Sequence, residues 1–239
     1  MSVSARVLGI IRRPRVTLQE VASRPQWASL LVALTVVTAA AGAVVSSTEV
    51  GQLALVDQWE RTALAFGQPV DDARYAQLQD WSRRGPGVAV MNAVLAGPVV
   101  AVAVSLLAFP WLRRPRHRQA NDGPGREVPG VSYAQVLAVA VHAGVILALG
   151  RLVAAPLVYA RETTASATTM GVWFPTLDEG SPVARFLGTI DLFTLWWAIV
   201  FGIGVAVLSG QRPRTCAAWV VSVYVGIAFL AAAVMASAA

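Results

Sequence analysis

The chain contains no lysine, and all 19 of its cationic residues are arginine. It has a single cysteine, Cys216, which excludes an intrachain disulfide and any cysteine-built metal cluster. Charged residues make up only 13% of the sequence, about half the share a soluble domain carries. Catalytic signatures are missing as well. There is no HExxH, no Walker loop, no GxSxG, no pair of carboxylates on one apolar segment and no His/Cys cluster. The chain is therefore read as a non-enzyme without a cofactor. No apolar run precedes Pro25, so the N-terminal segment is not read as a cleavable signal peptide.

Apolar residues are what the chain has in abundance: 56%, with a mean hydropathy of +0.60. They fall into long blocks, the arrangement a bilayer selects. Five blocks reach the length of about 20 residues needed to cross the hydrocarbon core. They run over 27–46, 87–111, 133–159, 186–209 and 215–235. The expected fold is all-α: a bundle of five transmembrane helices forming one domain over 1–239. Trp27, Trp111, Tyr133 and Tyr159 stand at block ends, where interfacial aromatics belong.

Charge sets an orientation. Arg6, Arg12, Arg13, Arg15 and Arg24 precede the first block. Arg113, Arg114, Arg116, Arg118 and Arg126 lie between the second and third, and Arg212 and Arg214 between the fourth and fifth. Those three segments hold three acids, whereas the two alternate loops hold six arginines and nine acids. The positive-inside rule puts the N-terminus in the cytoplasm and the C-terminus outside; the all-arginine, Ala-, Val- and Gly-rich composition suggests a bacterial source, and so a multi-pass protein of the inner membrane. The net charge of +6 is then a topology signal. Arg12, Arg13, Arg15, Arg113, Arg114 and Arg116 are expected to meet anionic lipid headgroups rather than nucleic acid.

The loops carry their own patterns. Val7, Ile10, Ile11, Leu18 and Val21 alternate with arginines over 4–24, which predicts a short amphipathic helix on the cytoplasmic face, split by Pro14. A disordered basic tail is the alternative. In the first outer loop, Leu53, Val56, Trp59 and Leu64 recur near helical spacing. A second helix is expected after the GQP turn, with Asp71 as its N-cap. The second outer loop, polar and then aromatic, suggests a re-entrant or interfacial turn.

Two ionisable groups interrupt the apolar blocks, Arg151 in the third and Asp191 in the fourth. Such groups should face protein and find partners. On consecutive antiparallel helices both lie in the outer half, each on a stripe of small residues: Gly144, Ala148 and Ala155 beside Arg151, and Gly188, Ala198 and Gly202 beside Asp191. An Arg151–Asp191 salt bridge with a structural role is expected. His142, nine residues from Arg151, faces the other side of the helix and is not read as a relay partner.

Three stretches, taken in order, resemble the bacterial branch of the Yip family of integral membrane proteins, named for Ypt/Rab-interacting proteins. They are IIRRPRVTLQEVASRP (10–25), SYAQVLAVAVHAG (132–144) and GTIDLFTLWWAIVFGIGVAVL (188–208). The resemblance implies five spans with the N-terminus inside. Eukaryotic members bind Rab GTPases and one another, and bacteria lack that Rab machinery. The expectation is a non-enzymatic scaffold or adaptor that binds other membrane proteins or itself. A transporter, or a transporter-accessory subunit, for a lipid or small solute is the alternative.

Overall fold

Proline and polar turn residues divide the chain into helices, and a computed structural model shows where each begins. It describes residues 3–113, 130–161, 168–174, 176–177 and 181–238. Two short helices, α1 (Val3–Arg12) and α2 (Pro14–Ser23), precede the first span, α3 (Ala28–Ser46). Then come α4 (Glu49–Ala65), α5 (Asp72–Ser82) and the second span, α6 (Gly85–Leu112). The third span is formed by α7 (Tyr133–Ala143) and α8 (Val145–Arg161), which run on through Gly144. A 3-10 turn over Met170–Trp173 leads to α9 (Pro182–Thr189), α10 (Leu192–Ser209) and the last span, α11 (Pro213–Ala238). Among the described residues there is no strand, only one isolated antiparallel bridge, Thr169 with Asp191.

Five helices are long and apolar enough to cross a membrane. The third and fourth spans form the centre. Val136, Val139, Ala140, Ala143 and Ile146 pack against Val200, Phe201 and Val205 in one core. The other spans surround it and turn large apolar side chains outward, among them Val32 and Val44 of α3, Leu107 of α6, and Trp219 and Leu230 of α11. Exposure on that scale suits a lipid solvent and no aqueous one. Small residues set the closest approaches. A Cβ on Gly202 would stand 2.5 Å from Cα of Ala217, so α10 and α11 touch backbone to backbone there. A Cβ on Gly150 would meet Phe193 Cβ at 2.8 Å, which ties α8 to α10.

The fourth span departs from the expected continuous 186–209 helix. It is broken. α9 ends at Thr189, Ile190 is extended, and α10 starts after Asp191. α9 still runs beside α11, with the Phe186 and Phe229 rings 6.1 Å apart and Arg185 Nη1 donating to the Met235 carbonyl at 2.6 Å. The break therefore lies beside Tyr224, eleven residues before Met235, or about 16 Å below that end of α11.

The N-terminal segment forms two helices, parted where Pro14 denies its N–H to the first. Ile10, Leu18 and Val21 are buried in the protein core, not laid on lipid. Between the first and second spans both expected helices form, and Asp71 caps α5 by accepting from Arg74 N at 2.8 Å. The expected face of α4 holds only in part: Val56 is buried and Trp59 half-buried, but Leu53 and Leu64 stay exposed and Ala54 is buried instead.

Candidate functional site

Breaking a helix at membrane depth frees backbone groups that no water is there to satisfy. Around Ile190 and Asp191 the chain supplies the partners. The Ile190 carbonyl accepts from Met170 N at 2.8 Å, and Leu192 N donates to the Thr168 carbonyl at 2.9 Å. The segment 168–170 thus pairs with the break. Asp191 N donates to the Tyr224 hydroxyl at 2.9 Å, and that hydroxyl donates to the Thr189 carbonyl at 3.2 Å.

The Asp191 carboxylate is the N-cap of α10. Its Oδ1 accepts from Thr194 N at 2.9 Å and from the Thr194 hydroxyl at 3.3 Å. Its Oδ2 accepts from the Thr168 hydroxyl. A carboxylate at a helix N-terminus also meets the positive end of the helix dipole, which stabilises its charge.

This arrangement replaces the expected salt bridge. Among the described residues the ion pairs are Arg61–Asp57 and Arg83–Asp80, and Arg151 does not reach Asp191. The reason is twofold. The helix starts at Asp191, so its side chain folds back over the first turn rather than projecting from a helix face. Span three also leaves the core after the buried Gly150, so Arg151, Leu152 and Val153 are exposed together. The small-residue stripes guide contact only in part: Gly202 and Ala198 are buried, while a Cβ on Gly188 would meet nothing within 4 Å.

His142 is fully buried, and its Nδ1 lies 2.7 Å from the Ala138 carbonyl. Among the described residues its Nε2 has no partner, and no carboxylate lies against it to complete a relay. Among the described residues no three His, Cys, Asp or Glu side chains cluster to hold a metal.

At the arginine-rich end, Arg12, Arg13, Arg15 and Arg113 are exposed; Arg114 and Arg116 lie outside the described residues. The residues that sequence reasoning missed are Thr168, Thr194 and Tyr224. The D-x-x-T spacing of Asp191 and Thr194 resembles an N-cap signature. Thr168 and Tyr224 come from elsewhere in the chain and leave no local signal.

A five-span helical bundle with a broken fourth span and a capped internal carboxylate defines an integral multi-pass membrane protein. The Yip1 domain family profile matches residues 8–235, nearly the whole chain, and the protein belongs to that family. Neither a curated protein nor a solved structure matches it.

Proposed function

We propose that the protein is a non-enzymatic membrane scaffold or adaptor, binding other membrane proteins or a second copy of itself. We place it in a bacterial inner membrane with its N-terminus in the cytoplasm and its C-terminus outside, the orientation that the arginine distribution favours. One observation carries the reading. The Asp191 carboxylate inside the bundle is engaged in closing a helix break, so its polar contacts serve the fold. The outward surface supports it too. Ala218, Ser222 and Gly226 recur at four-residue spacing on the exposed side of α11, a spacing that lets a second helix approach closely.

Crosslinking in native membranes followed by co-purification in mild detergent tests the reading, with a photo-crosslinker placed at Ser222. The expected result is one recurring membrane-protein adduct or a crosslinked dimer. Recovery of the uncrosslinked monomer alone would overturn it.

The broken span favours a second reading. Discontinuous helices paired with a returning loop build substrate sites in secondary transporters, so a transporter or transporter-accessory role for a lipid or small solute stands as the alternative. Proteoliposome flux that the protein leaves unchanged removes it.

A further inference from the structure

The α1–α2 hairpin is wedged into the bundle rather than resting beneath it. A Cβ on Gly204 would lie 3.5 Å from Leu18 Cδ1, so α2 presses on α10 five residues before that span ends at Ser209. The same glycine faces Val139, six residues into α7. At 1.5 Å per residue these contacts lie about 8 Å inside the ends of the two central spans. That is the depth at which interfacial helices sit, at the boundary of headgroups and acyl chains. Gln135 Nε2 holds the hairpin there by donating to the Ala22 carbonyl at 2.9 Å.

What the hairpin leaves uncovered is specific. Leu8 is 48% exposed and Val16 62% exposed, although Ile10, Leu18 and Val21 of the same two helices are buried. Between them the chain turns through Arg12, Arg13 and Arg15, all exposed, with no partner for any of the three guanidinium groups among the described residues. Exposed apolar side chains flanking exposed cations fit a lipid surface, and a soluble acidic partner would leave Leu8 and Val16 uncovered. Guanidinium is also the cation best shaped to take two phosphate oxygens at once.

We propose that the α1–α2 turn binds the phosphate of an anionic lipid headgroup, with Arg12, Arg13 and Arg15 as ligands and Leu8 and Val16 against its acyl chains. The proposal is independent of the adaptor reading. It assigns the lipid contact to one element that touches both central spans, so headgroup binding there steadies the α7–α10 packing.

The test is native mass spectrometry of the full-length protein, delipidated in neutral detergent and titrated with phosphatidylglycerol or phosphatidylcholine. Wild type should prefer phosphatidylglycerol. The combined Arg12→Gln, Arg13→Gln, Arg15→Gln variant should lose about fivefold per arginine, or about a hundredfold in all. The corresponding triple lysine variant, which keeps the charge and controls for folding, should retain most of the preference. Equal binding of the two lipids would overturn the proposal. So would an equal loss from Arg113→Gln, Arg212→Gln, Arg214→Gln, which would mean a diffuse field. Displacement of the lipid by soluble glycerol phosphate at equal concentration would overturn the lipid as the source of the phosphate.

Discussion

The Tyr224 hydroxyl joins the two sides of the break in the fourth span: it accepts from Asp191 N at 2.9 Å and donates to the Thr189 carbonyl at 3.2 Å. Replacing it by phenylalanine removes the partner that this amide and this carbonyl share. Tyr224→Phe should cost about 1–3 kcal/mol, the desolvation cost of stranded polar groups. The midpoint of thermal unfolding in mild detergent measures it. An unchanged midpoint would mean that the break is satisfied by other means.

The contact of Gly204 with Val139 and Leu18 leaves no room for a methyl group. Gly204→Ala should overpack this junction, at a cost of about 1–3 kcal/mol, and should speed trypsin cleavage after Arg12 and Arg15 as the hairpin loosens. Gly87→Ala is the control, because nothing lies within 4 Å of a Cβ at that glycine. Equal cleavage of the two variants would remove the packing argument.

Leu18 is fully buried beneath the central spans. Truncation to alanine should cost about 2–5 kcal/mol, as for other core leucines. The loss should be local. Amide exchange should rise over residues 5–23 and stay at the wild-type rate in α3 and α6. A rise across all spans would show instead that the hairpin is needed for the whole bundle.

Much of this fold is legible in the sequence because its periodicities and punctuation are local. The five blocks, the split at Pro14 and the Asp71 cap each depend on residues within one or two turns. The fourth span misleads for a physical reason. TIDLFTLWW reads as continuous apolar helix, yet Asp191 competes with the helix backbone for the Thr194 amide and so starts a helix instead of continuing one. Arg151 was assigned a partner by depth and face on straight helices, an argument that fails once one helix is interrupted. The hairpin's burial was hidden in the same way. An amphipathic segment shows which face is apolar but not whether protein or lipid covers it.

The orientation inferred from arginine placement has its own check. In a Cys216→Ser background, Gln19→Cys and Gln77→Cys place single thiols on exposed positions of α2 and α5. An impermeant maleimide applied outside intact cells should label Gln77→Cys and spare Gln19→Cys. The opposite pattern would invert the topology.

The central claim is that the Asp191 carboxylate caps a broken span and neither pairs with Arg151 nor carries protons. Unfolding midpoints of Asp191→Asn, Asp191→Ala and Arg151→Gln, measured side by side in one detergent, test it most directly. Asparagine keeps an oxygen for the Thr194 amide, so Asp191→Asn should stay close to wild type. Asp191→Ala should lose about 0.5–2 kcal/mol, the value of an N-cap, and Arg151→Gln should change stability by less than about 0.5 kcal/mol. If Asp191→Asn and Arg151→Gln instead fall together and as far as Asp191→Ala, the two charges form a pair and the capping account is contradicted.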